Sequence, residues 1–335
     1  MMGASLATAN AAQKLRPRRD LVLPVLIFLV LALVPAFAAL TEQKFLIDMA
    51  ARIMIFAVAG VALDLVVGYG GMISFGHAAF IGIGAYAVGI LSAEGIGDAL
   101  IALPVAILAA TLFAWLTGIV CLGTRGAYFI MITLAFGQMI YFVATSLAPY
   151  GGDNGLTIDA RNTLAGWPLL KSDLNFYYVV LLALIGSYAF CRALVASRFG
   201  RVLRGAKENP SRMATLGFDT RRYQLIGYVI SGGLTGLSGF LLANSTEFVS
   251  PAYMSWQRSG ELIVMIILGG VGTLDGAIIG AAAYLFSEQW LSRLTENWKV
   301  IFGPILVLVV LFARGGLIGL CGALWERASR GTKHV

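Results

Sequence analysis

Few side chains in this sequence are equipped for chemistry, and those that are stand inside or beside long apolar runs. Asp64, Ser74, His77, Tyr128, Thr133, Gln138 and Glu261 are placed in this way. In hydrocarbon a polar or ionisable group is costly and usually faces a cavity or a partner, so these residues are candidates for a translocation path or for a structural motif. Asp64 has no partner one helical turn away in either direction; it can cap the next backbone turn, bond His77, or line a path. His77 is either a satisfied packing residue or a ligand. Thr133 and Gln138 share one apolar run and could line a polar pathway, although an intramembrane Thr often bonds its own backbone. Glu261 opens a short run, where it suits the membrane interface or a helix N-terminus. Arg52 follows Asp48 by one turn, which predicts an ion pair within one helix.

Covalent chemistry is poorly served. The lysines are Lys14, Lys44, Lys171, Lys207, Lys299 and Lys333, and none lies in a G-x-x-x-x-G-K-[ST] phosphate loop. His77 and His334 are too few for a histidine metal cluster or a proton relay. Cys121, Cys191 and Cys321 lie in or beside apolar segments without metal-type spacing and read as small core residues rather than as a disulfide. The chain is therefore expected not to be an enzyme and to bind no metal or cofactor itself.

The elements that must hold these groups are set by composition. Of 335 residues 59% are hydrophobic and 12% charged, with a mean hydropathy of +0.85, against about 45–50% apolar in ordinary soluble domains. This is an all-α polytopic membrane protein. At about 20 apolar residues per crossing it can supply about eight to ten spans and no separate soluble domain. The formal charge of +7 comes from bases that flank apolar runs rather than cluster as a nucleic-acid surface, so no nucleic-acid partner is expected.

In order, the spans are 21–40, 47–67, a third after the glycine-rich stretch 68–86, 99–122, 128–147, 176–196, 223–244, the short segments 260–270 and 277–291, and 301–320. The basic residues Lys14, Arg16, Arg18 and Arg19 precede the first run, which lacks a small-residue cleavage site and is read as a retained helix. The two short segments flank a glycine turn and read either as full crossings or as half-helices dipping into the membrane. Residues 1–20 and 321–335 are expected as cytoplasmic tails around a permease domain of residues 21–320. Basic excess in the N-terminal tail, in 198–222 and after Trp325 puts all three on the cytoplasmic side, whereas residues 148–175 lack that excess and face out. Parity then requires six crossings before residue 198 and four after residue 222, giving about ten.

The stretch 198–222 carries Arg198, Arg201, Arg204, Lys207, Arg212, Arg221 and Arg222 against Glu208 and Asp219. Within it Asn209 is a good N-cap, Pro210 suits the first helical position and Gly217 can close the turn, so a helix of about two turns is expected over 210–216. Met213, Ala214 and Leu216 would give it an apolar face for a groove on a soluble partner; the other reading is a basic loop that only anchors topology.

Several segments together resemble one family. They are L-D-L-V-V-G-Y-G-G-M-I-S-F-G-H-A-A-F-I-G-I-G-A-Y from Leu63, T-R-G-A-Y-F-I-M-I-T-L-A-F from Thr124, G-G-D-N-G-L from Gly151, G-R-V-L-R-G-A-K-E-N-P-S-R-M-A-T-L-G from Gly200, F-V-S-P from Phe248 and E-L-I-V-M-I-I-L-G-G-V-G-T-L-D-G from Glu261. In that order and spacing they resemble the LivM-type inner-membrane permeases of branched-chain amino acid ABC importers over nearly the whole chain. The resemblance implies that Glu208, Asn209, Pro210, Met213, Ala214, Leu216 and Gly217 form a cytoplasmic coupling helix that docks on an ATP-hydrolysing subunit. It also implies a second homologous permease subunit, two ATP-binding subunits that carry ATP and Mg, a periplasmic solute-binding protein and surrounding membrane lipid as partners. The sequence departs from the family's common pattern at Asp64 (commonly Asn), Met72 (often Gln) and Ala277 (often Pro). Related urea-importer permeases also show an Asp and an apolar residue at the first two places, so urea and short amides stand beside branched-chain amino acids as substrate classes. An ion-coupled secondary transporter working alone is the alternative of another class; it would carry coupling chemistry on broken helices of its own and have no use for a docking helix.

Overall fold

Long apolar runs in lipid must satisfy every backbone N–H and C=O internally, which leaves helices as the way to cross. The computed structural model describes residues 19–295, 297–312 and 315–320, and most of it is helix. Helices α1 (Arg19–Thr41) and α2 (Lys44–Asp64) form an antiparallel pair, and α2 continues through a wider π-helical turn, Leu65–Tyr69. Then come α3 (His77–Ala93), α4 (Ala99–Cys121), α5 (Ala127–Ser146) and α6 (Asp173–Ala196). Two surface helices, α7 (Arg198–Glu208) and α8 (Pro210–Thr215), lead to α9 (Thr220–Thr246), α10 (Trp256–Gly269), α11 (Leu274–Ser292) and α12 (Trp298–Phe312).

By length and apolarity six of these can cross a membrane alone: α1, α2 with its π turn, α4, α5, α6 and α9. α3 and α12 are shorter apolar helices, and α10 and α11 are bent by 114° at the glycine turn between them. With these four the described residues hold ten apolar helices, six of them long enough to cross alone, and the two short segments form a sharply broken pair. Most helices overrun their apolar run by up to a turn, because backbone hydrogen bonding continues into the interface. The tails expected at 1–20 and 321–335, with Cys321, lie outside the described residues, except that α1 already begins at Arg19.

α2 is the axis of the bundle. Every residue from Met54 to Asp64 is buried, and the helix packs against α1, α6, α9, α10 and α11. The closest packing elsewhere depends on small side chains. Ala102, Ala106, Ala110, Ala114 and Gly118 recur at every fourth position of α4 and are buried, facing Gly232 and Gly236 of α9, where an added Cβ on Gly236 would lie 2.5 Å from Ala110 Cβ. In a bilayer, where apolar burial between helices gains little, such close backbone approach holds helices together through van der Waals contact. Long side chains such as Leu29, Leu108, Leu112 and Trp115 point outward instead, toward lipid.

The end of the bundle away from α7 and α8 is closed by residues 147–172. Leu156–Thr157 (β1) pairs antiparallel with Phe248–Val249 (β2). Arg161 is the tie: its guanidinium bonds Asp173 at 2.7 Å and the Asn244 carbonyl at 3.1 Å, lies 3.5 Å from Glu247 and sits over the Phe176 ring. The ion pair expected between Arg52 and Asp48 does not form. Arg52 reaches Glu288 of α11 at 3.6 Å, because the packing of α11 on α2 brings an acid from another helix nearer than the one along its own.

Candidate functional site

The surface device is built from two helices. In α7, Gly200, Val202, Leu203 and Ala206 are buried, Arg198 and Arg201 face away from them, and Arg204 and Lys207 lie at the edge of the buried side. A Cβ on Gly200 would strike the backbone of Val195, so a glycine is what lets the chain turn out of α6 straight into α7. Ser197 starts α7 by accepting from Phe199 N–H at 3.1 Å. Asn209 Oδ1 starts α8 by accepting from Arg212 N–H at 2.9 Å, with Pro210 at the first position. Gly217 ends it at φ +86°, a left-handed conformation suited to glycine.

Helix α8 buries none of its own residues. Met213 is turned inward against Gly205, so the outward apolar groups are Ala214, Leu216, which is 64% exposed, and Phe218. The expected face of Met213, Ala214 and Leu216 is corrected to that extent: Met213 anchors α8 to α7. Glu208 is the last residue of α7 and is exposed.

Behind α7 lies the second device, the break between α2 and α3. Glycines at 68, 70, 71 and 76 let the chain leave the helix and re-enter it at His77, with Gly71 at φ +69°. Irregular backbone at membrane depth needs partners from the protein, and the polar side chains supply them. Asp64 Oδ1 accepts from Gly272 N–H at 2.7 Å, joining this break to the turn between α10 and α11. Thr133 Oγ1 accepts from Phe75 N–H at 3.1 Å while donating to the Ile130 carbonyl. Ser259 accepts from Ala78 N–H at 3.1 Å, and Ser74 from Gly76 N–H at 3.3 Å.

His77 does not bond Asp64. Its Nε2 lies 2.9 Å from Ser231 Oγ, and that hydroxyl donates to the Ala62 carbonyl at 2.5 Å. The serine must therefore accept from the ring, so the Nε2–H tautomer is present. The imidazole is buried edge-on against Phe80 and Tyr228. The direction of Asp64 has the same cause: Gly272 is in contact with Gly68, one turn on from Asp64, and its N–H needs an acceptor.

Asp64, Ser74, His77 and Thr133 are thus brought together around one break. The other candidates lie elsewhere. Tyr128 is exposed at the head of α5, and Gln138 is half-buried further along it. Glu261 bonds Arg258 at 2.7 Å and Lys299 at 3.1 Å, tying α10 to α12. Between the break and α8 is a cavity of about 260 Å³ bordered by Gly70 to Ile73, Arg125, Lys207, Pro210 and Gln224. Among the described residues no three of His, Cys, Asp and Glu converge to hold a metal ion. The arrangement offers buried hydrogen bonds at helix breaks and an apolar patch on the surface.

Sequence reasoning missed α7, although Phe199, Val202, Leu203 and Ala206 recur at helical spacing with bases between them. It also missed Lys207, whose ammonium donates to the Gly68 carbonyl at 2.7 Å. If Asp64 acts by holding Gly272, Asp64→Asn is expected to keep the thermal midpoint of the purified protein near wild type, since the amide oxygen can accept the same bond. Asp64→Leu leaves the Gly272 N–H unpaired and should cost about 1–3 kcal/mol. Equal loss in both variants would show that the carboxylate has another task.

A model of the family described as branched-chain amino acid transport system, permease component, matches residues 45–311. The high-affinity branched-chain amino acid transport system permease protein LivM of Escherichia coli (strain K12) is 28% identical over 317 residues, covering 87% of this chain and 74% of that protein. The probable LivM of Methanocaldococcus jannaschii is 22% identical over 318 residues, 79% of this chain and 90% of that protein. The probable LivH of the same organism is 31% identical over 164 residues, 46% of this chain and 49% of that protein. No solved structure matches the chain.

Proposed function

Because the chain belongs to the family of permease components of branched-chain amino acid transport systems, we propose that it is one membrane subunit of an ATP-driven importer that passes branched-chain amino acids inward by alternating access. The observation that carries this reading is α8: a capped helix with Leu216 held outward on a chain that has no phosphate loop of its own. Such a helix gains by docking in a groove of a soluble, ATP-hydrolysing partner. Two ATP-binding subunits with ATP and Mg, a second permease subunit and a solute-binding protein outside the membrane complete the assembly. Glu208, Asn209, Pro210, Met213, Ala214, Leu216 and Gly217 form the coupling segment, with Met213 acting from within.

The glycine breaks after α2 and between α10 and α11 are the places where helices can change direction without losing backbone bonds, and they support rocking of one set of helices against another. Asp64 and His77 hold these breaks rather than meet the solute, so the Asp at position 64 carries no argument for urea. The membrane is the bacterial inner membrane, with α7, α8 and both termini in the cytoplasm. A cysteine introduced by Asn154→Cys, in the exposed part of the 147–172 segment, is expected to be labelled by a membrane-impermeant maleimide added outside the cell; labelling only from the cytoplasmic side would invert the orientation.

Uptake tests the substrate. Cells lacking their own leucine uptake and given this chain with its partner genes are expected to take up labelled leucine in competition with isoleucine and valine and not with urea. Uptake blocked by urea and indifferent to isoleucine would overturn the assignment.

A further inference from the structure

A basic residue on a cytoplasmic helix usually does no more than fix topology. On α7 Arg204 lies over the Tyr69 ring of the π turn, and Lys207 reaches the backbone of that turn. Its ammonium donates to the Gly68 carbonyl at 2.7 Å, and its aliphatic stem lies across Gly71, where an added Cβ would be 2.7 Å from Lys207 Cγ. Gly68 belongs to the last turn of the α2 extension, where carbonyls run out of helical partners and carry the negative end of the helix dipole. A cation from a different helix meets that end. On its other side Gly68 lies against Gly272, such that a Cβ would stand 2.6 Å from Gly272 Cα, and Asp64 bonds the Gly272 N–H.

One side chain therefore touches the point where both helix breaks meet, and it stands immediately before the residues that cap α8. Glu208 and Asn209 are all that separate Lys207 from Pro210. A displacement of α8 must move the lysine, and the lysine is held to the π turn by a charge-assisted hydrogen bond and by its stem. The nearby cavity, bordered by Gly70, Gly71, Lys207 and Pro210, gives this joint room to shift.

We infer that Lys207 is a positioning residue that transmits the movement of α8 to the two helix breaks through the Gly68 carbonyl. The inference rests on the docking role proposed for α8 and adds the route by which docking reaches the spans. Its action in this inference runs through Gly68.

The test uses the complete complex, purified with its ATPase subunits and reconstituted in proteoliposomes with leucine-loaded binding protein. ATP hydrolysis and labelled leucine uptake are measured side by side. Lys207→Met keeps the stem and removes the donor. It is expected to assemble in wild-type amount and to hydrolyse ATP, while leucine moved per ATP falls on the order of tenfold, as removal of one charge-assisted hydrogen bond would allow. Lys207→Arg, which can still donate to the carbonyl, is expected to restore most of the ratio. A wild-type ratio in Lys207→Met overturns the inference, and so does loss of the assembled complex in that variant, which would make the lysine a folding or docking element. If the wild-type chain itself purifies without ATPase subunits, the docking role of α8 falls and the inference with it, an outcome visible before any variant is compared.

Discussion

Replacing Leu216 with Glu is expected to release the ATPase subunits from the purified complex and to abolish uptake, while the permease inserts in normal amount. Leu216 is 64% exposed and α8 buries none of its own residues, so no span depends on this side chain. Docking would take it out of water. A carboxylate placed in a dry apolar contact without a partner costs several kcal/mol, which lowers affinity by a factor on the order of a thousand or more. Co-purification and uptake should fall together. Leu216→Met, which keeps size and apolarity, should leave both near wild type. Intact co-purification with intact uptake in Leu216→Glu would end the docking assignment for α8.

The second large effect is predicted inside the bundle, from a change of one methyl group. Gly239 of α9 faces the backbone of α3, and an added Cβ would run into the Ile81 carbonyl and lie 3.0 Å from Ala85 N. Neither is the end of a flexible side chain, so two helices must separate to admit it. Overpacking of this kind costs about 1–3 kcal/mol and more where backbone has to move. Gly239→Ala should therefore lower the thermal midpoint in detergent by several degrees and reduce the folded amount in the membrane. Gly186→Ala is the control: nothing lies within 4 Å of the added atom on α6, and alanine is the better helix former. A stability order of Gly186→Ala at or above wild type and Gly239→Ala well below it is expected; equal behaviour would mean that α3 and α9 do not meet as closely as described.

The contrast between those glycines shows what the sequence can and cannot disclose. Apolar runs are enough to find the apolar helices, because their length follows from the solvent rather than from neighbours. The caps of α8 were legible for a similar reason: Asn209, Pro210 and Gly217 act within a few residues of themselves. What could not be read was pairing between distant segments. Asp64 bonds a backbone N–H at residue 272, and Arg52 takes Glu288 in preference to the nearer Asp48. The alanine stripe of α4, not singled out from the sequence, gains its meaning from Gly232 and Gly236 opposite. Lys207 looked like one base among seven in its stretch; only the position of Gly68 distinguishes it.

In the proposed function this chain moves a solute with energy received through α8 from a separate ATPase. This is tested most directly by reconstituting the permease pair with its ATPase subunits in proteoliposomes and following labelled leucine carried by the binding protein, with ATP, with a non-hydrolysable analogue, and with an imposed proton or sodium gradient in place of nucleotide. Accumulation is expected only with hydrolysable ATP and only when the ATPase subunits are present. Accumulation driven by an ion gradient in the absence of those subunits would contradict it and make the chain a secondary transporter.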